Sequence, residues 1–164
     1  MKHLIRRRAS RTVWLVTLAA AAAGIVAGAA QGSYQPKFPA PKLKDGALSI
    51  KGTKASDKIA LRLQAGDPGT LQVDVGDDGS ADFSFQRSAI TKIAVNSRAG
   101  GDLVRIDESN GSFTDTIPTT IDGGDGNDNL AGGKGIETLL GGRGNDSIDG
   151  NGGKIVVSDR KSVV

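Results

Sequence analysis

The chain has no cysteine, and its only histidine is His3, near the start of its 164 residues. Without cysteine there is no disulfide framework, no thiol nucleophile and no lipid attachment at a cleavage-site cysteine. Because His3 lies in the predicted N-terminal signal segment, Ser-His and Cys-His catalysis and histidine-based zinc sites are excluded as well. No spacing singles out a catalytic pair among the 18 Asp and Glu residues. We therefore predict that the protein is not an enzyme.

Aromatic residues are also scarce, at 4% of the chain. Tyr34, Phe38, Phe83, Phe85 and Phe113 are spread over a long stretch of sequence and show no common spacing. We expect them to be core or linker residues rather than a stacking platform for sugars.

The positive net charge of +3, from 21 Lys and Arg against 18 Asp and Glu, is concentrated at the N-terminus. Five of the cations and none of the anions lie before residue 30, so the remainder carries 16 basic against 18 acidic residues. Residues 59–153 hold 15 acidic against 7 basic residues. An acidic body favours a cationic partner and argues against nucleic acid.

The N-terminus has the layout of a secretory signal peptide. Lys2 and four arginines precede residues 12–30, which carry no charge and include VWLVTLAAAAAGIVAGAA. Small residues at 27–29 suit cleavage after residue 29 or 30. We predict a signal helix over 1–30 and a secreted, extracellular or cell-surface protein. About eighteen apolar residues just reach across a bilayer, so membrane attachment is expected only if the segment stays uncleaved.

Residues 31–45 contain three prolines among polar residues and predict an extended linker. From residue 46 to 121 the apolar residues alternate with polar ones, which predicts a strand-rich region with turns at 66–69, 76–79 and 100–102. The segment LQVDVGDDGSADFSF predicts a β-hairpin. The alternating positions are Ile59, Leu61 and Leu63; Leu71, Val73 and Val75; Phe83 and Phe85; Ile93 and Val95; and Val104 and Ile106.

Four aspartates, Asp74, Asp77, Asp78 and Asp82, surround the loop of this hairpin. They could form a cation site or a solvated acidic turn. We favour the turn, because acidic residues are common in exposed hairpin loops.

Residues 123–149 hold nine of the 24 glycines and repeat with a period of nine. The units are GGDGNDNLA, GGKGIETLL and GGRGNDSID, followed by GNGGKIVVS. The first and fourth positions are always glycine, and the eighth is always aliphatic: Leu130, Leu139, Ile148 and Val157. A flexible linker has no reason to keep these columns, so the period indicates a repeated structural unit.

Other glycine-rich sites do not fit this segment. A phosphate-binding loop fails at Gly153-Lys154, because Ile155 stands where a hydroxyl is needed. A dinucleotide fingerprint is not satisfied, and no helix follows. An EF-hand beginning at Asp125 has Leu130 and Ile136 at positions that require Gly and Glu.

The repeat resembles the calcium-binding nonapeptide G-G-x-G-x-D-x-U-x of RTX, or hemolysin-type, proteins. Residues 50 to about 150 are also similar to the region that precedes and includes the repeats in secreted bacterial calcium-binding proteins. The resemblance implies an all-β fold, with short strands leading into a right-handed parallel β-roll over 122–158 and a tail over 159–164. In such a roll two nonapeptides complete one turn, and calcium lies between stacked turns.

A step of two nonapeptides brings residues eighteen apart together, which pairs Asp128 with Asp146 in intact GGxGND turns. Calcium takes six to eight oxygen ligands, and glycine lets the backbone turn its carbonyls toward one point. We therefore expect one Ca2+ ion between these turns, bound by both carboxylates. The expected carbonyl ligands come from Gly123, Asp125, Asn127, Gly141, Arg143 and Asn145.

The opposite side has weaker turns. GGKGIE carries Ile136 and Glu137 where a polar residue and Asp are expected, and GNGGKI has Ile155 at the ligand position. We expect this side to be degenerate or empty. The predicted function is calcium binding by an exported structural or interaction protein, with no protein or glycan partner indicated. The alternative is a non-catalytic fragment of a larger RTX protein, because the pattern fails after Gly153.

Overall fold

The computed structural model describes residues 38–159, and strands account for most of its regular structure. In this range the only helical element is a single 3₁₀ turn at Arg87–Ala89. The all-β prediction is therefore confirmed. The predicted signal helix over 1–30 and residues 160–164 of the tail lie outside the described residues. Within 38–159 no helix is long and apolar enough to cross a membrane.

Twelve strands make up the fold. They are β1 (Lys42–Lys44), β2 (Ala47–Lys51), β3 (Lys58–Gln64), β4 (Asp67–Val75), β5 (Phe83–Gln86), β6 (Lys92–Asn96), β7 (Leu103–Asp107), β8 (Thr119–Asp125), β9 (Asn129–Ala131), β10 (Ile136–Arg143), β11 (Ser147–Asp149) and β12 (Lys154–Asp159).

The strands form two six-stranded sheets. The first has the order β1-β2-β6-β8-β10-β12 and the second the order β11-β9-β7-β3-β4-β5. The pairs β1–β2, β3–β4 and β4–β5 are antiparallel, and the other pairs are parallel. From β6 onward the chain alternates between the sheets. Each strand from β8 onward pairs in parallel with the strand two before it, so successive passes of the chain stack on one another.

The alternating apolar residues of the sequence line up across these strands and form one core. In the second sheet Ile59 lies opposite Val104, Val104 opposite Leu130 and Leu130 opposite Ile148. The first three of these side chains are fully buried, and Ile148 packs against them. A matching column in the first sheet consists of Ile50, Val95, Ile121 and Leu139. The period-two prediction for these strands is confirmed.

The predicted hairpin is present as the antiparallel pair β4–β5, in which Val73 lies opposite Phe83. The aspartates around its loop are engaged by the protein rather than simply solvated. Asp74 is fully buried and forms a 2.7 Å salt bridge with Arg62. Asp77 accepts two 2.7 Å hydrogen bonds from Arg105, which lowers the pKa of Asp77. These arginines neutralise two of the four carboxylates that a cation site at this loop would use.

The predicted linker over 31–45 extends too far. Phe38 is only 2% exposed and joins the core, and Leu43 in β1 lies opposite Leu48 in β2. Prolines and lysines surround these residues in the sequence, and a three-residue edge strand is too short to show a period. The expected boundary at residue 122 is also not marked by a break, because β8 crosses it while pairing with both β6 and β10.

Candidate metal centre

Four aspartates, one from each of four stacked turns, form a continuous column that we call the aspartate file: Asp57, Asp102, Asp128 and Asp146. Each turn leads from a strand of the first sheet to a strand of the second. The backbone N–H of Asp57 donates to Oδ1 of Asp102 at 2.7 Å, that of Asp102 to Asp128 at 2.8 Å, and that of Asp128 to Asp146 at 2.9 Å. One carboxylate oxygen in three of these residues is therefore used to join neighbouring turns.

The file has a closed end at Asp57. Oδ2 of Asp57 accepts hydrogen bonds from the backbone N–H and the hydroxyl of Thr53, at 2.6 and 3.0 Å. By contrast, Oδ2 of Asp102, Asp128 and Asp146 is buried and has no hydrogen-bond partner within residues 38–159. Three equivalent acceptors thus remain unsatisfied along one column.

The two turns predicted from the repeat share one backbone conformation. The φ angles are +95° at Gly124 and +97° at Gly142, and +137° at Gly126 and +135° at Gly144. A Cβ added at Gly142 would collide with the carbonyl oxygen of Gly124 in the turn before it. Glycine is therefore required both by the left-handed backbone and by the close stacking of the turns.

The structure brings together the residues that the eighteen-residue step pairs. Asp128 is 2% exposed, and its unsatisfied Oδ2 lies beside Gly123. A Cβ added at Gly123 would lie 2.7 Å from the carbonyl oxygen of Gly141 and would collide with the Asp128 carboxylate. A carboxylate from one turn and a carbonyl from the next therefore face the same small space. The Asp146 carboxylate lies in the same relation to Gly141.

The other predicted ligands hold the turns to one another. The carbonyl of Asp125 accepts an N–H from the turn before it at 2.9 Å, and that of Arg143 accepts one from turn 123–128 at 2.7 Å. Oδ1 of Asn127 accepts the backbone N–H of Asn145 at 2.9 Å. A carbonyl oxygen has two lone pairs, so these hydrogen bonds leave each carbonyl one site for a cation.

Burial makes the file electrostatically unfavourable without a cation. Burial, which outweighs the opposing hydrogen bond from the backbone of Asp57, raises the pKa of Asp102 to about 6, with smaller contributions from the carboxylates of Asp128 and Asp57. Burial also raises the pKa of Asp128, with a further contribution from Asp146. A bound cation would reverse both effects, because it stabilises the ionised carboxylates.

Sequence reasoning missed two members of the file, Asp57 and Asp102, and of these only Asp102 has a buried carboxylate oxygen without a partner in residues 38–159. Its turn, 97–102, has the sequence SRAGGD and precedes turn 123–128 by 26 residues rather than 18. It nevertheless adopts a related conformation, with φ of +82° at Arg98 and +126° at Gly100. The available signal was the spacing of Gly100, Asp102 and Val104, which equals that of residues 126, 128 and 130.

The carboxylates of the file are arranged in a column rather than a cluster. Within residues 38–159 no group of three or more Asp, Glu, His or Cys side chains converges on one point. A cation held here needs backbone carbonyls for most of its ligands.

Comparisons with known protein families, curated proteins and solved structures found no match to this chain.

Proposed function

We propose that this is an exported, non-catalytic calcium-binding protein whose sheets form a right-handed parallel β-roll of the RTX type. The roll is supported by the alternation of the chain between two sheets and by the parallel pairing of each strand with the strand two before it. The right-handed sense follows from the strong preference of parallel crossover connections for that hand.

The observation that carries the calcium proposal is the set of buried, unsatisfied Oδ2 atoms of Asp102, Asp128 and Asp146. A buried acceptor without a partner destabilises a fold by about 1–3 kcal/mol, and more when it is charged. A bound cation satisfies the acceptor and its charge together. The column of unsatisfied carboxylate oxygens in this protein therefore favours a bound cation over an empty site.

Calcium fits this site better than other metals. The available donors are carboxylate and carbonyl oxygens, which suit calcium and magnesium and do not suit zinc or copper. Magnesium demands near-ideal octahedral geometry and retains several waters, whereas calcium accepts six to eight oxygens in a flexible shell. The proposed ligands are the carboxylates of Asp128 and Asp146 and the carbonyls of Gly123, Asp125, Asn127, Gly141, Arg143 and Asn145, with Asp102 as a further carboxylate of the file.

The contribution of calcium to stability is moderate. With a dissociation constant of about 0.1 mM and about 1 mM free calcium, one site stabilises the folded state by about 1.4 kcal/mol. A domain of this size is stable by about 5–15 kcal/mol, so most of the stability comes from the core. We infer that calcium orders the turns of 123–149 after export, in an exported structural or surface protein.

The proposal is tested by calorimetric titration of calcium chloride into the full chain and into Asp146→Asn. Asparagine keeps an oxygen to accept the 2.9 Å hydrogen bond from Asp128 but lacks the second anionic oxygen. We expect the variant to bind one calcium ion fewer than the wild type. Asp149→Asn is the matched control, because its exposed side chain lies outside the proposed ligand set and asparagine keeps an oxygen to accept the backbone N–H of Asn151. Absence of calcium-dependent heat in the wild type, or equal binding by Asp146→Asn, would refute the site.

A further inference from the structure

The side of the molecule opposite the aspartate file carries its own buried carboxylate, Glu137. The connections on this side lead from the second sheet to the first and include turns 132–135 and 150–153. Glu137 lies near the start of β10 and is only 1% exposed. Neither of its carboxylate oxygens has a hydrogen-bond partner within residues 38–159. A carboxylate that is buried and doubly unsatisfied is unfavourable unless something else compensates its charge.

Two carbonyl oxygens and one oxygen of Glu137 surround a single point on this side. A Cβ added at Gly153 would lie 2.6 Å from the carbonyl oxygen of Gly133, 2.6 Å from that of Gly135, and 3.0 Å from Oε2 of Glu137. Because residue 153 is glycine, the space among these oxygens stays open. The carbonyl of Gly135 also accepts the backbone N–H of Lys154 at 2.8 Å, which leaves it one lone pair.

The described neighbours of Glu137 supply no counter-charge. In the strand ladder it lies opposite Thr119 and Ile155. Lys134 and Lys154, the closest cations along the chain, have exposed side chains and form no salt bridge with Glu137.

The nearby carboxylate of Glu108 plays a different role. It accepts hydrogen bonds from the hydroxyls of Ser112 and Thr114, both at 2.9 Å, and from the backbone N–H of Lys134 at 2.8 Å. These bonds fasten the loop between β7 and β8 to turn 132–135. Glu108 is thus satisfied by the protein, whereas Glu137 is not.

We propose that Glu137, together with the carbonyls of Gly133 and Gly135, forms a second calcium site on the side opposite the aspartate file. This inference rests on the proposed function for the identity of the ion, but it uses separate residues. It revises the expectation that this side is empty. The three oxygens all come from residues 133–137, and one of them is anionic. They leave room for water in a six- to eight-coordinate shell, so the expected dissociation constant is about 10⁻⁴–10⁻³ M.

The test is calorimetric titration of calcium chloride into the full chain and into Glu137→Gln, which has nearly the same shape without the charge. We expect Glu137→Gln to bind one calcium ion fewer than the wild type. The double variant Asp146→Asn/Glu137→Gln should bind two fewer. Asp115→Asn is the control, because it removes an exposed carboxylate from the loop on the same side and should bind as the wild type does.

A second variant guards against a folding defect in Glu137→Gln. Gly153→Ala keeps the carboxylate but places a Cβ among the three oxygens, and it should also bind one calcium ion fewer. Circular dichroism in EGTA establishes that each variant is folded.

Two results would overturn the proposal. One is unchanged calcium binding by folded Glu137→Gln. The other is unchanged binding by folded Gly153→Ala. Failure of the aspartate site is distinguishable, because calcium binding would then survive Asp146→Asn and disappear in Glu137→Gln.

Discussion

Replacing Asp128 by asparagine should have opposite effects on stability in the absence and presence of calcium. The side chain is 2% exposed, and its Oδ1 accepts the backbone N–H of Asp102 at 2.8 Å while Oδ2 has no partner within the described residues. Asparagine can keep the first hydrogen bond and replaces the second oxygen with an uncharged amide NH2 group. The substitution therefore separates the structural role of Asp128 from its proposed role as a metal ligand.

The expected magnitude follows from these two oxygens. Removing the buried, unsatisfied oxygen stabilises the fold by about 1–3 kcal/mol. The backbone N–H of Asp102 then donates to a neutral rather than a charged oxygen, which weakens this hydrogen bond by about 1 kcal/mol. In EGTA at pH 7 we expect Asp128→Asn to be more stable than the wild type by about 1 kcal/mol. The direction agrees with the raised pKa of Asp128, since an acid with a raised folded-state pKa destabilises the fold once it is ionised.

In about 1 mM calcium the order should reverse. The wild type gains about 1.4 kcal/mol from the site, and the variant gains nothing from it. For a domain of this size this corresponds to a difference of about 4–8 °C in the calcium-induced rise of Tm.

The assay is urea unfolding and thermal melting of both proteins, each in EGTA and in calcium. Asp149→Asn makes the same charge change with an exposed side chain outside the proposed ligand set, so it should stay within about 0.5 kcal/mol of the wild type and keep the full calcium response. An equal calcium response in Asp128→Asn would contradict the proposed ligand role. A loss of more than about 1 kcal/mol in EGTA would contradict the view that the charge is unfavourable without metal.

Three further outcomes test the fold and the file. In EGTA, the free energy of unfolding should fall as pH rises from about 4 to about 6, because the folded-state pKa of Asp102 is raised to about 6. Urea unfolding across this range should show a smaller fall in Asp102→Asn than in the wild type, with a difference of at most about 3 kcal/mol. Gly142→Ala should destabilise by at least about 1 kcal/mol more than Gly66→Ala in thermal melts, because both have positive φ but only the first would collide with the backbone of Gly124. Leu130→Ala should lose about 2–5 kcal/mol in EGTA and calcium alike, since it empties a fully buried core position; a loss confined to EGTA would contradict that role.

Much of the fold could be predicted because its strands are locally encoded. Side chains alternate across a strand, so the pattern at Ile93 and Val95 indicates which face is buried without knowledge of the partner strand. The hairpin β4–β5 was predictable for the same reason, since its loop and both strands are contiguous in sequence. The pairing of Asp128 with Asp146 was predictable from the regular period together with the resemblance to RTX repeats, which implies that two repeats complete one turn.

Other features depend on segments far apart in the chain. Asp102 joins the file across 26 residues and Asp57 across 45. The hairpin β4–β5 separates Asp57 from Asp102, and the loop between β7 and β8 separates Asp102 from Asp128, so no fixed period connects these residues. Phe38 was assigned to a linker because nothing near it in sequence shows which core it enters.

The amino-acid sequence by itself determined where the strands and turns lie, because side-chain alternation and the conformational freedom of glycine act over a few residues. Its regular nine-residue period, read with the resemblance to RTX repeats, also predicted that residues eighteen apart in the repeat meet. Only the tertiary structure decided which turns stack beyond the repeat and which carboxylates lose water without gaining a protein partner. Burial of Asp102 and Glu137 is a property of neighbours brought together by chain stacking, and these neighbours leave no trace in the residues adjacent in sequence.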